Sequence, residues 1–211
     1  MSTSIERLVL ASGNAGKLRE FRRLLEPLGV AVIPQAELGI DEAEEPHVTF
    51  VENALAKARH ASMRADLPAL ADDSGVCVDA LRGEPGVHSA RYAGEPRSDA
   101  RNNAQLAAAL HGVADRRAHY YCVLALVRHA ADPEPIIAEG RWDGRIALSP
   151  RGEGGFGYDP WFEDPLTGMT GAELPLARKN ALSHRGKAMR ALMARLRDES
   201  ARRLHAGSRA A

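Results

Sequence analysis

At 211 residues, with Lys plus Arg and Asp plus Glu at 28 each, the chain carries no global charge that advertises a polyanionic partner. Its 45% hydrophobic content is ordinary for a globular protein, and the length suits one large domain or two small lobes. No apolar run approaches the roughly 20 residues of a membrane span, and the N-terminus has no apolar signal-peptide region. The charge is nonetheless uneven. From Arg185 onward eight Lys/Arg stand against Asp198 and Glu199, a net of +6, which leaves −6 over the first 184 residues. Cys77 and Cys122 both sit in β-like apolar runs and read as buried reduced thiols, so the composition predicts a cytoplasmic protein without membrane association.

Arg7–Ala11 reads as a short buried strand, and Leu18, Phe21, Leu24, Leu25 and Leu28 mark one face of a helix. Between them lies Ser12-Gly13-Asn14-Ala15-Gly16-Lys17, a glycine-containing loop at a helix N-terminus with a lysine in the first turn. Backbone N–H groups and the helix dipole make such a junction a phosphate site. The Walker A spacing is absent, and a plain strand–helix connection with a solvated lysine is the competing reading.

Val30–Pro34 predicts a second strand, followed by the acidic stretch Asp41-Glu42-Ala43-Glu44-Glu45. Thr49-Phe-Val-Glu52 has the capping-box pattern and opens a helix to about Ala65. That occupies Glu52, which ranks below Glu44 and Glu45 as a metal ligand. Lys57 lies one turn beyond Asn53 on the same face, with an exposed helical lysine as the alternative.

Ala71–Gly94 places Asp72, Asp73 and Asp79 within eight residues. Pro68–Ala71 reads as a strand that breaks at Asp72-Asp73-Ser74-Gly75, where Gly75 is able to take positive φ, before a second run, Val76–Leu81. Oxygen ligands of this kind suit Mg²⁺, which binds through one or two carboxylates and leaves other positions to water and phosphates. An Asx turn capping backbone N–H groups is an equally consistent reading of these four residues alone. Arg91 falls on a loop. Asp99–His111 predicts an alanine-rich helix, His119–Arg128 a central strand, and Ile136–Leu148 strands with a turn at Asp143-Gly144.

Glu153-Gly-Gly-Phe156-Gly157-Tyr158-Asp159-Pro160 holds three glycines within four residues, which suits close approach of backbone and ligand, and Phe156 or Tyr158 offers a ring to a nucleobase. The alternative is a glycine-rich hairpin with its aromatics in the core. Lys179-Asn-Ala-Leu-Ser-His184-Arg185-Gly precedes a helix with Met189, Leu192, Met193 and Leu196 on one face. Its basic surface reads as solvated. His60, His111, His129 and His205 read as surface or boundary residues, and the eight histidines show no metal spacing. No nucleophile elbow or His-Glu-x-x-His pattern appears.

Taken together, Ser12–Lys17, Thr49–Ala58, Ala71–Val76, Pro85–Gly94, Gly154–Pro160 and Ser183–Gly186 resemble the house-cleaning nucleoside triphosphate pyrophosphatases, the XTP/dITP diphosphatase or inosine triphosphatase family. The motifs run in the family's order from residue 8 to about 195. Pro46-His47 departs from the family's usual Thr-Gly after the acidic pair. The resemblance implies a mixed α/β fold, with a central sheet, flanking helices and two lobes around a nucleotide cleft, as a single domain over 1–211 with a basic tail from about 197. It implies Mg²⁺-dependent hydrolysis of dITP, ITP and XTP to monophosphate and pyrophosphate by a homodimer. Carried over by position, Ser12, Gly13, Asn14, Ala15, Gly16 and Lys17 hold phosphates. Glu44 and Asp73 serve Mg²⁺, with Glu45 and Asp72 as further candidates, and Asp73 also accepts the proton. Ser74, Phe156, Gly157, Tyr158, Asp159, Lys179, His184 and Arg185 line the nucleotide. Arg185 has donors only and His184 can donate from either ring nitrogen, which suits a 6-oxo purine over adenine. A nucleotide-sensing module without turnover, and nucleic-acid binding through the basic C-terminal segment, are the other classes; neutral net charge argues against the second.

Overall fold

The computed structural model describes residues 5–25 and 29–207, apart from the side chains of Ala15, Glu20, Arg23, Leu24 and residues 199–207. Arg7–Ala11 (β1) is apolar beyond its first residue and buried there, and Ala31–Pro34 (β2) pairs parallel to it. Ala69–Val78 (β3) lies parallel on the other side of β1. Arg117–Val127 (β4), Ile136–Ile146 (β5) and Phe162–Glu163 (β6) continue antiparallel, giving one six-stranded sheet in the order β2-β1-β3-β4-β5-β6.

Helices cover both faces. Ala15–Leu25 (α1) and His184–Gly207 (α5) pack on one, where Leu8, Leu10, Phe21, Leu25, Leu70, Leu124, Met189 and Leu192 form a buried cluster. Leu18, Met193 and Leu196 flank it, so both expected helix faces are there; Leu28 and the Leu24 side chain lie outside the described residues. On the other face Phe50–Ala65 (α2) presents Ala54, Ala58 and Ala61 to Val9, Ala69, Ala71 and Val123. Its start follows from the local sequence, since the Thr49 hydroxyl accepts from the Glu52 N–H and donates to the Glu52 carboxylate. Asp99–Ala109 (α3) supplies Leu106 to a third cluster with Val76, Val78, Tyr120, Trp142 and Phe162, and the short Leu176–Leu182 (α4) leads into α5.

Two expected interruptions are absent. β3 does not break at Asp72–Gly75: Asp72, Asp73, Ser74 and Gly75 pair with Leu124, Val123, Cys122 and Tyr121 of β4. Gly75 takes no positive φ. It is needed for space instead, because a Cβ there would lie 2.2 Å from the Gly86 carbonyl oxygen. Only Asp79–Leu81 leaves the strand, as a 3₁₀ turn, with Asp79 exposed and away from the other two aspartates. Likewise β5 runs through Asp143-Gly144 without a turn, since β4 and β6 hold it on either side and Gly144 admits the Phe162 ring. The segment from about 197, expected as a tail, continues α5 to Gly207.

Gly140 on β5 sets where α5 begins. A Cβ there would come within 2.0 Å of the His184 carbonyl oxygen and 2.5 Å of the Ala188 nitrogen. Backbone atoms of a packed helix cannot yield cheaply, so Gly140→Ala is expected to cost about 1–3 kcal/mol, the range for overpacking. Urea unfolding of the variant checks this; unchanged stability would show that α5 is free to slide along β5.

Candidate active site

Continuity of β3 decides the geometry of the aspartate pair. Successive strand residues point to opposite faces, so Asp72 faces α1 and α5 while Asp73 faces α2. Each meets its own cation. On the first face Asp72 Oδ2 lies 2.9 Å from Lys17 Nζ and 3.7 Å from Arg185 Nε, and accepts a hydrogen bond from the Ser74 hydroxyl at 3.0 Å. Arg185 Nη2 in turn donates to Ser74 Oγ. Burial would raise the Asp72 carboxyl, but Lys17, Arg185 and Lys57 outweigh it and hold the group far below the usual range. Its Oδ1 is buried with no hydrogen-bond partner.

On the second face Lys57 Nζ stands between two carboxylates, 2.7 Å from Glu45 Oε1 and 3.1 Å from Asp73 Oδ1. Asn53, fully buried one turn earlier, donates to Asp73 Oδ2 at 3.2 Å. Its amide also bonds both the N–H and the C=O of His47, so the unusual Pro46-His47 pair is held by side chain-to-backbone bonds. Burial pushes the Asp73 carboxyl up against the pull of Lys57 and Lys17, and the Glu45 charge adds to the rise. Burial would lower the Lys57 ammonium, but Asp73, Asp72 and Glu45 raise it, so it is charged. The exposed-lysine reading of Lys57 is thereby replaced.

Both faces open into one cleft, lined among others by Ser12, Gly13, Asn14, Lys17, Asp73 and Phe156. Asn14 caps α1, its Oδ1 accepting from the Lys17 N–H at 3.1 Å, and this turns the loop so that Lys17 reaches Asp72. Gly13 leaves room for the Glu42 carboxylate, which a Cβ would meet at 1.9 Å. Gly16 does not line the cleft; it lets the Phe156 ring approach α1, where a Cβ would sit 2.8 Å from the ring, and the Ala15 side chain lies outside those described.

Phe156 and Tyr158 part company. Gly155 and Gly157 take positive φ, at +75° and +62°, before Phe156 and between the two rings. Phe156 is half-buried at the cleft, with Lys179 Nζ 5.2 Å and the Arg185 guanidinium 5.6 Å from its centroid. Tyr158 also lines the cleft but is buried in the third cluster and donates to the Ser89 carbonyl, so it props the wall while Phe156 is the more exposed ring. Asp159 is buried, accepting from the Phe156 N–H and from Lys179 Nζ at 2.6 Å. The Gly157 peptide is fixed from α3, by Asp99 on its N–H and Asn103 on its C=O. His184 stacks on Tyr120 at 4.5 Å with its Nδ1 unpartnered. Burial, with Arg185 and Lys179 beside it, drives its pKa well below the ordinary value, so it is a neutral imidazole.

In the acidic loop the two candidate glutamates are placed differently. Glu44 is exposed and does not line the cleft, whereas Glu45 enters it, bonded to Lys57 and to Arg91 Nη1 at 2.6 Å. Sequence reasoning did not assign roles to Asn53, Arg91 or Asp99. For Asn53 the signal was its i, i+4 relation to Lys57; for Arg91 and Asp99 the partners are 46 and 58 residues away and no local pattern shows them. His111 and His129 are exposed as expected, while His60 meets the Asp41 carbonyl and His205 lies outside the described side chains. Cys122 is buried as expected; Cys77 is half-exposed, and both are free.

Residues 8–195 match the Ham1 family. Among curated proteins the chain is 63% identical to a dITP/XTP pyrophosphatase of Nitrosomonas europaea, covering 90% of this chain and 93% of that one. It is 65% identical to a dITP/XTP pyrophosphatase of Ralstonia nicotianae over 92% and 98%. Among solved structures it superposes on a HAM1 protein from Coxiella burnetii with a TM-score of 0.85 at 47% identity, covering 91% and 98%. The Staphylococcus aureus Ham1 protein gives a TM-score of 0.82 at 40% identity, covering 92% and 99%.

The Glu45 clasp predicts an acid dependence of stability. Burial works to raise its carboxyl, yet Lys57 and Arg91 lower it from 4.5 to about 2. A depressed carboxyl contributes stability above its unfolded pKa and loses it as pH falls through the folded value. The stability difference between wild type and Glu45→Gln is therefore expected to be largest above about pH 4.5 and to shrink toward pH 2. Thermal melts across that range check it, and a difference independent of pH would contradict the clasp.

Proposed function

The chain belongs to the Ham1 family, and we propose that it hydrolyses non-standard purine nucleoside triphosphates such as dITP, ITP and XTP to monophosphate and pyrophosphate, with Mg²⁺. The observation that carries this reading is that the Glu45–Lys57–Asp73 array, Lys17 and the Phe156 ring all line one cleft. Cations for a triphosphate, a basic carboxylate and a ring for a base share that cleft.

The donor set fits Mg²⁺. Glu45 and Asp73 both reach the same ammonium, so they lie close enough to share one small cation. Among the described residues no three His, Cys, Asp or Glu converge into a cage, and Mg²⁺ commonly uses one or two carboxylates with substrate phosphates completing its shell. Asp73 and Glu45 would hold it, and when bound it would neutralise charge on the phosphoryl oxygens. Lys17 and Arg185, released from Asp72, would bind the substrate's anionic and base ends. Asp73, raised by burial, orients a water and takes its proton. The water oxygen bonds to the α-phosphorus, the bond to the bridging oxygen of the β-phosphate breaks, and pyrophosphate leaves. At the base end Phe156 stacks, while the donors of Arg185 and the neutral His184 suit a 6-oxo group. The same reading takes 1–211 as one domain of a cytoplasmic homodimer that does not bind nucleic acid; the free Cys77 and Cys122 accord with a reducing compartment.

Purified protein with Mg²⁺ and dITP or XTP is expected to yield monophosphate and pyrophosphate, with ATP a poor substrate. Release of orthophosphate and diphosphate would reject the assigned bond, and binding without turnover would leave a sensing module.

Asp73→Asn removes the charge without changing volume, so turnover is expected to fall by roughly 10²-fold or more, as for loss of a general base. Steady-state kinetics at saturating Mg²⁺ measure it; retained activity would move the proton acceptor to another carboxylate.

A further inference from the structure

The segment from Asp41 to His47 has no regular secondary structure, and four carboxylates, Asp41, Glu42, Glu44 and Glu45, crowd five positions. Self-repulsion and backbone entropy both favour a mobile, solvated loop. Glu45 nevertheless enters the cleft with both carboxylate oxygens bonded, one to Lys57 and the other to Arg91. Arg91 makes a second contact of a different kind: its Nη2 donates to the main-chain carbonyl of Glu45 at 3.2 Å. One planar guanidinium thus holds both the side chain and the backbone of a single residue, fixing direction as well as position.

The support behind Arg91 is rigid. It ends the 3₁₀ segment Gly86–Arg91, which the Ser89 hydroxyl ties to β3 through the Val76 N–H. Buried Asn102 of α3 bonds the Ala90 carbonyl and the Ala93 N–H on either side of it. Arg91 itself does not line the cleft. The other described ties on the loop are the Asn53 bonds to His47, the His60 contact with the Asp41 carbonyl, and the exposed pair Arg97–Glu42 at 3.5 Å. Surface pairs of the last kind contribute little.

We propose that Arg91 is a positioning residue for the pyrophosphatase reaction, latching the 41–47 loop so that Glu45 stands beside Asp73 with Lys57 shared between them. The inference rests on the function proposed above. Without the latch Glu45 has one cationic partner instead of two. It then draws Lys57 away from Asp73 or swings out with its loop, and either movement dismantles the array before substrate arrives.

The test compares wild type, Arg91→Ala and Arg91→Lys by dITP kinetics with Mg²⁺ and by amide hydrogen exchange of the substrate-free proteins. Arg91→Ala is expected to lose about 10²-fold in kcat, the scale of a displaced catalytic group, with KM changed only a few-fold. Amides of residues 41–47 should exchange faster while those of β3 and β4 keep their protection. Arg91→Lys keeps a charge near Glu45 but not the fork, and should fall between the two in both measurements. Wild-type kcat in Arg91→Ala, or a fall in kcat with loop exchange unchanged, would overturn the latch. A rise in KM with kcat intact would make Arg91 a direct substrate contact instead. Exchange that rises throughout β3 would reduce the effect to lost stability. If wild-type protein turns over no nucleoside triphosphate, the functional reading fails, whereas the loop exchange still decides the latch.

Discussion

A charged, half-buried ammonium between two carboxylates is the interaction on which the rest of the cleft depends. Lys57 is costly to bury alone, and so are Glu45 and Asp73; together they are tolerable only because each satisfies another. Breaking one member of such a set leaves an uncompensated charge, so the three positions are fixed as a unit. Around them the fold supplies what that unit requires. Alanines along α2 let the helix approach the sheet closely enough for Lys57 to reach Asp73, Asn53 takes the remaining Asp73 oxygen, and Arg91 takes the remaining Glu45 oxygen.

The opposite face of β3 repeats the arrangement with different partners. Asp72 is screened by Lys17 from the strand–helix junction and by Arg185 from α5, with Ser74 between. Adjacent carboxylates would repel if they shared a site, but strand geometry separates them across the sheet and gives each its own cation. This separation requires β3 to remain extended through Asp-Asp-Ser-Gly. Pairing with β4 holds it so, and Gly75 permits the 3₁₀ segment to cross close above it.

What the sequence made legible was mostly local. The capping box at Thr49–Glu52, the helix faces around Phe21 and Met189, and the Asn14–Lys17 junction follow from neighbours within a few residues, and they formed as expected. Reading Asp72–Gly75 as a turn failed because four turn-prone residues were overruled by a strand partner about fifty positions away, which no local pattern reveals. That Glu45 enters the cleft while Glu44 stays exposed was not legible either, for a related reason. On a loop without periodicity nothing distinguishes adjacent glutamates until Arg91 and Lys57 reach one of them. Likewise Phe156 and Tyr158 were alike as candidate rings, and positive φ at the intervening Gly157 helps leave one half-buried at the cleft while the other is packed into the core of its wall.

The charge pattern along the cleft explains why it needs so many internal ion pairs before any substrate binds. Lys17, Lys57 and Arg185 are each held against a carboxylate, and Lys179 against Asp159. A set of mutually unbalanced cations would repel and disorder, and a polyanion would then have to order them at the expense of its own binding. Pairing them in advance fixes their positions, and an incoming polyphosphate exchanges partners with groups already placed. The same economy operates at the other end, where burial keeps His184 neutral beside Arg185 and Lys179 instead of adding a third charge. A neutral ring stacked on Tyr120 can be packed tightly, and packing there is what Gly140 allows by bringing the start of α5 directly onto the sheet. Thus a missing side chain on β5 and a half-buried lysine on α2 serve one end: cations and hydrogen-bond donors held in place by the protein's own charges and close contacts.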